Sequence, residues 1–273
     1  MANHLFTEGM TANEEAAPDL LSLRTLFVNV CFIGEPGSRA WVLVDTGMTG
    51  FTDSIISLAE KRFTGPPIAI VLTHGHFDHV GSVIELVQHW GAPVYAHPLE
   101  LPYLTGMRDY QKPDPGVGGG LLSGISFLYP NDAIDLDDRI APLPQDGSVP
   151  GAPGWKWLHT PGHTPGHVSL FHERRRLLVA GDAFITVKQE AALTVILQEK
   201  EISQKKEIHG PPAYFTTDWQ AAQRSVAMLA GLKPEIAVTG HGHSMHGMEL
   251  RNQLERLAAD FERIAVPKQG RYV

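Results

Sequence analysis

Apolar and polar positions change period along the chain, and each change predicts an element. Thr25 to Ile33 and Ala40 to Val44 read as two strands of a hairpin, separated by the turn-rich Gly34-Glu35-Pro36-Gly37-Ser38. Thr52 to Phe63 has the spacing of an amphipathic helix, with Ile55, Ile56, Leu58 and Ala59 clustered and Pro66-Pro67 closing it. Ile68 to Leu72 is a short continuous apolar run, the pattern of a strand buried on both faces. Gly81 to Trp90 then predicts a helix, Pro93 to Ala96 a strand and Leu99 to Thr105 a short helix. In the second half, strands are expected at Trp155 to His159, Val168 to Phe171, Arg176 to Ala180 and Glu235 to Thr239. Helices are expected at Thr217 to Leu232 and at Glu249 to Ile264, whose Leu250, Leu254, Leu257, Ala258 and Phe261 share one face.

Strands followed by alternating helices and strands, with the theme recurring, suit two sheets packed together with helices outside. The expected organisation is a polar leader over residues 1–20 and one domain over residues 21–273, with inserted loop segments at about 106–130 and 185–215. The first insertion carries a proline- and glycine-rich stretch, Lys112 to Gly120, and then Phe127, Leu128 and Tyr129. Pro113 to Gly124 with these residues reads either as a lid that brings apolar side chains over a site or as an ordinary surface loop.

Composition narrows the class of protein. With 43% hydrophobic residues in 273, the chain can bury a substantial core. A net charge of -8 leaves no basic surplus for a phosphate backbone, so a small-molecule substrate is expected and nucleic acid is not. Cys31 is the single cysteine, which excludes an intramolecular disulfide and fits a reducing, cytoplasmic compartment; its neighbours Val28, Val30, Phe32 and Ile33 predict a buried strand thiol. Met1 to Asp19 lacks the apolar run of a secretory signal, and no stretch approaches the roughly 20 apolar residues of a membrane span. Oligomeric state is left open by these features.

The chemistry concentrates in Thr73-His74-Gly75-His76-Phe77-Asp78-His79-Val80-Gly81. In an extended segment residues two apart point the same way, so His74 and His76 can meet one metal. Asp78 and His79 follow where the chain turns into a helix, and they face a second point. Three further candidates sit in glycine-flanked loops after strands: His163 in Pro161-Gly162-His163, Asp182 in Gly181-Asp182 and His241 in Gly240-His241-Gly242.

His-x-His-x-Asp-His followed by Pro-Gly-His, Gly-Asp and Gly-His resembles the metallo-β-lactamase superfamily, in the branch of hydroxyacylglutathione and lactone hydrolases. The resemblance runs from about Val42 to His241 and implies an α/β fold, a four-layer αββα sandwich. It implies that His74, His76 and His163 hold one metal, that Asp78, His79 and His241 hold a second, and that Asp182 bridges the two. Asp45, in an Asp-Thr-Gly that matches the superfamily's first motif, is expected to accept an imidazole N–H and orient a ligand. The other histidines, including His97, His159, His167, His243 and His246, fall outside the matched positions.

Such a centre implies two divalent ions, zinc by default with iron or manganese as alternatives. It implies a metal-bridging hydroxide that attacks an ester, lactone, thioester or amide carbonyl, with Asp78 orienting the hydroxide or passing a proton. An iron-dependent persulfide dioxygenase and a noncatalytic metal-binding protein are the alternative readings of the same residues; the complete second ligand set argues against the former. The short stretch after His241 speaks against a glutathione site. The tyrosine that lactone hydrolases place three residues after the bridging aspartate is Ile185 here, so a carbonyl donor must come from elsewhere, with Tyr129 and Tyr214 as candidates.

Overall fold

The computed structural model describes residues 10–118, 121–187 and 206–273. Among the described residues twelve strands form two sheets. The first holds β1 (Thr11–Ala17), β2 (Leu20–Thr25), β3 (Val28–Ile33), β4 (Val42–Val44), β5 (Ala69–Val71), β6 (Val94–Ala96) and β7 (Ile140–Pro142), in sequence order. The first four are antiparallel, and β4 to β7 run parallel. The second sheet has the order β12 (Met245–His246), β11 (Ile236–Val238), β10 (Leu177–Val179), β9 (Val168–His172) and β8 (Trp155–His159). Its β10 and β11 are parallel and its other pairs antiparallel, so β8, β10 and β11 share one direction.

Helices α1 (Thr52–Arg62), α2 (Phe77–Val80), α3 (Val83–Trp90), α4 (Leu101–Leu104) and α5 (Leu121–Gly124) belong to the first half. Helices α6 (Trp219–Gly231), α7 (Gly247–Ala259) and α8 (Phe261–Ile264) belong to the second. Local chemistry sets several ends. The Asp218 carboxylate accepts the Ala221 N–H at 2.8 Å to cap α6, and Gly91 ends α3 in the left-handed region at φ 64°.

Alternation along each strand sorts side chains into three apolar layers. Phe32, Leu43 and Ile70 face outward onto Ile55 and Ala59 of α1 and Val83 and Leu86 of α3. Their neighbours Cys31, Ile33, Val42, Val44, Ala69 and Val71 face the other way, where they meet Val168, Leu170, Leu177 and Val179 of the second sheet. Phe171 and Leu178 then pack outward on Val226, Leu229, Leu250 and Leu254 of α6 and α7. Three cores between four layers are the αββα sandwich expected. The Cys31 thiol lies in the middle layer, where burial pushes it far above the ordinary thiol range, out of reach of thiolate chemistry.

The opening of the chain differs from the expectation. Residues read as a polar leader supply β1, and the strand expected from Thr25 to Ile33 is the second arm of a hairpin whose first arm is β2. Its tight turn at Leu26-Phe27 places Leu26 at φ 65°, a conformation that sequence rules reserve for glycine or asparagine. The polar residues of β1 hid it, because Asn13 and Glu15 are exposed on an edge strand. The helix expected through Ile264 breaks at Asp260. The insertion expected at 185–215 lies in large part outside the described residues, and its flanks are pinned where Ile185 pairs with His209.

Candidate metal centre

Every candidate ligand lies in a segment that follows the C-terminal end of a strand, and within the second sheet β8, β10 and β11 point the same way. β5 runs into His74 and the short helix α2, β8 into the loop bearing His163, β10 into Asp182 and β11 into His241. Two packed sheets thus deliver ligands from both sides to one point, the position where open α/β sheets place their chemistry. Side-chain atoms of His74, His76 and His163 lie within 4.8 Å of one another, and so do those of His74, His79 and Asp182 and those of Asp78, His79 and His241. The three groups interlock through His74 and His79. All seven side chains are buried.

Ring contacts fix which nitrogen each histidine turns inward. Asp45 Oδ2 is 2.8 Å from His79 Nδ1, which leaves Nε2 facing inward. His241 Nδ1 donates to the Phe27 carbonyl at 3.0 Å, and His163 Nδ1 lies 3.2 Å from Thr216 Oγ1. His74 Nδ1 lies 3.0 Å from Thr73 Oγ1, whose own hydrogen goes to Asp45 Oδ2 at 2.8 Å. Their Nε2 atoms therefore point into the centre. His76 turns the opposite nitrogen inward, its Nδ1 3.0 Å from His163 Nε2.

Asp182 sits in the middle. Its Oδ2 is 3.1 Å from His241 Nε2, 3.5 Å from His163 Nε2 and 3.6 Å from His79 Nε2. Asp78 Oδ2 lies 3.5 Å from His241 Nε2 and 3.9 Å from His79 Nε2. Burial opposes ionisation of Asp182, but His241 and His79 outweigh it and hold the carboxyl well below its usual range. Burial pushes Asp78 up. Burial and neighbouring imidazoles drive His74 and His76 well down, and burial brings His163 to about 3, so all three rings are neutral and able to ligate.

These residues fit a cation. His74 Nε2, His79 Nε2 and Asp182 Oδ1 are buried and have no hydrogen-bond partner. Buried polar atoms are normally satisfied, and three orphans converging from different loops are explained by a positive charge among them. Backbone crowding is also specific: a Cβ at Gly240 would overlap Asp182 Oδ1, and one at Gly75 would come within 2.6 Å of the Tyr110 hydroxyl. Asp45 holds φ 60°, a strained value that aspartate tolerates better than most residues.

Several supporting residues escaped the reading of the motifs. His167 Nε2 accepts the Asp182 backbone N–H at 2.9 Å, while its Nδ1 is bound by Thr160; burial lowers this ring to about 4 and keeps it neutral for that role. Asn29 on β3 donates to the carbonyls of Thr239 and Gly242 at 2.9 and 2.8 Å and so clasps the His241 loop. Glu100 accepts hydrogen bonds from two ligand loops at once. Only the histidine among these carried a signal, its place four residues after His163.

An aromatic wall borders the cluster. Phe215 stacks on His76 with centroids 4.3 Å apart, and Tyr129 lies between Phe77, Tyr214 and Phe215. Of the apolar residues expected over the site, only Tyr129 packs there; Phe127 and Leu128 are exposed to solvent. Ile185 is buried and offers no side-chain donor.

Two packed sheets with a histidine and aspartate cluster at their strand ends define an αββα protein with a candidate metal centre. The family model of the metallo-beta-lactamase superfamily matches residues 23–241, and the chain belongs to that superfamily. It is 46% identical over 250 residues to "Probable metallo-hydrolase YflN" of Bacillus subtilis, covering 90% of this chain and 92% of that one. It is 30% identical to "Probable metallo-hydrolase YybB" of the same organism, over 74% of this chain and 76% of that one. Among solved structures, TTHA1623 in a di-iron-bound form is similar at 27% identity and a TM-score of 0.55, covering 84% of this chain and 96% of that one. The BLEG-1 B3 metallo-beta-lactamase shares the fold at 23% identity and a TM-score of 0.53, over 87% and 94% of the two chains.

Proposed function

We propose that the chain is a binuclear metallohydrolase that cleaves an ester, lactone, thioester or amide of a small molecule carrying an apolar group. The observation that carries this reading is the interlocking of the three ligand groups through His74 and His79, with Asp182 central to both positions. His74, His76 and His163 would hold the first ion, Asp78, His79 and His241 the second, and Asp182 would touch both. Two divalent ions held there would supply a hydroxide at neutral pH and polarise a substrate carbonyl.

The protein's own residues do the rest. Asp78, besides holding an ion, would orient the attacking water or exchange a proton with it. Phe77, Tyr129, Tyr214 and Phe215 form an apolar flank for the acyl group. Burial and the charge of Asp78 raise both tyrosine phenols, Tyr214 strongly, so each stays protonated as an O–H donor. That supports Tyr129 and Tyr214 as sources of the donor missing at Ile185.

Zinc is the first choice of metal for a set of imidazoles and carboxylates without thiolate. The di-iron form of TTHA1623 supports iron as the second. The buried lone thiol supports a reducing compartment, the cytoplasm, and among the described residues no helix is long and apolar enough to cross a membrane.

The test is metal quantification on the purified protein with a panel of lactones, thioesters, esters and β-lactams. Turnover is expected to disappear on chelation, to return with zinc and to vanish in His74→Ala. Restoration by iron alone, with oxygen consumed, would replace hydrolysis by an oxidative reaction.

A further inference from the structure

Glu100 lies at the start of α4 and is fully buried. A buried carboxylate is costly unless its oxygens are satisfied. Here one oxygen faces each of two ligand loops. Oε2 accepts the Gly75 N–H at 3.2 Å and the hydroxyl of Tyr110, which itself accepts the Gly75 N–H at 2.9 Å. Oε1 accepts the Gly166 N–H at 2.7 Å and the Thr164 hydroxyl at 2.8 Å. Gly75 stands between His74 and His76, and Thr164 directly follows His163. One carboxylate therefore ties together the backbones that carry all three ligands of the first metal position. Among the described residues, no hydrogen bond from Glu100 runs to Asp78 or His79 or to the loops of Asp182 and His241.

From this geometry we infer that Glu100 is a positioning residue for the first metal position alone, an inference that rests on the metal-centre reading above. It sets the spacing between the His76 and His163 rings, whose inward nitrogens stand 3.0 Å apart. Tyr110 adds to the clamp through its ring, 4.7 Å from that of His76. Close fit leaves no slack on the other side, because a Cβ at Gly166 would meet the Glu100 side chain at 2.8 Å. An isosteric amide breaks the clamp without removing volume. Whichever way the Glu100→Gln amide turns, its NH2 faces one pair of donors and can accept nothing from them.

The experiment is a cobalt(II) titration of the metal-free full-length protein, followed by visible absorption, for the wild type and for Glu100→Gln. His163→Ala identifies the binding step that belongs to the first position. In Glu100→Gln that step is expected to weaken on the order of 10- to 100-fold, the usual effect of losing a residue that orients ligands, while the other step keeps its affinity. The thermal midpoint of the metal-free protein should stay close to that of the wild type. Two unchanged steps would overturn the inference. So would equal weakening of both steps with a lower midpoint, which marks a structural residue only. If Glu100→Gln does not fold, Thr164→Val and Tyr110→Phe each remove one donor and are read the same way, with unchanged binding in both counting against the clamp. A wild type that binds no cobalt would overturn the metal centre itself, whereas two wild-type steps unaltered by Glu100→Gln would leave the centre standing and remove only Glu100.

Discussion

Asp45 Oδ2 accepts the Nδ1 hydrogen of His79 at 2.8 Å, and the same carboxylate takes both the N–H and the hydroxyl of Thr73, the residue that contacts His74. One aspartate just past β4 therefore orients a ring at each of the two proposed metal positions, directly at one and through a threonine at the other.

Asp45→Asn should consequently weaken both positions. The amide NH2 opposes donors already aimed at it, so His79 loses its tautomer and Thr73 its anchor. A loss of metal affinity on the order of 10- to 100-fold is expected, read by competition with a chelator. Wild-type affinity in the variant would show that the carboxylate does not orient these rings.

His167→Phe preserves a buried ring but leaves the Asp182 N–H without an acceptor. An unsatisfied buried donor costs about 1–3 kcal/mol. Urea unfolding of the metal-free protein should show a loss of that size, and turnover of the metal-loaded enzyme should fall further than stability does. Turnover equal to that of the wild type would mean that Asp182 keeps its place without this bond.

Gly240→Ala puts a methyl group into the space of Asp182 Oδ1, beside the His79 ring. The fold should survive, judged by an unchanged far-ultraviolet circular dichroism spectrum. Metal stoichiometry should drop, because the carboxylate proposed to serve both positions is displaced. Full stoichiometry with full activity would contradict the central placement of Asp182.

Glu14 on β1 offers a pH test of the opening hairpin. Burial works against its charge, but His243, Ser244 and Lys206 outweigh that effect and bring its carboxyl to about 2, below the ordinary 4.5. A carboxyl lowered on folding adds stability above the unfolded value, and that contribution disappears as pH falls from about 4.5 through about 2. The stability difference between wild type and Glu14→Gln should therefore be constant above pH 4.5 and close to zero near pH 2. The side chain is 34% exposed, so the difference will be small and will shrink with salt. A difference that grows on acidification would refute the assignment.

Local pattern made much of this molecule legible. Alternation and helical spacing located thirteen of the elements, and the glycine-flanked loops marked His163, Asp182 and His241. Failures share a cause. The turn at Leu26 lacks a turn residue, and β1 is polar because it lies on an edge; each is decided by partners the local sequence does not contain. Glu100 looked like an ordinary residue at a helix start, since nothing near it in sequence says that Thr164 and Gly166 will close over it.

The run His74 to His79 and the three later loops specify by themselves which groups can bind metal, because ligand chemistry belongs to side-chain type and backbone spacing. Which nitrogen each ring presents, and how far apart the rings stand, is decided only by tertiary structure. Those are set by Asp45, His167, Asn29 and Glu100 through hydrogen bonds that cross long stretches of chain, 210 residues in the case of Asn29 and Thr239. Such bonds need donors and acceptors within about 3 Å. Only packing two sheets face to face brings residues so distant in sequence that close.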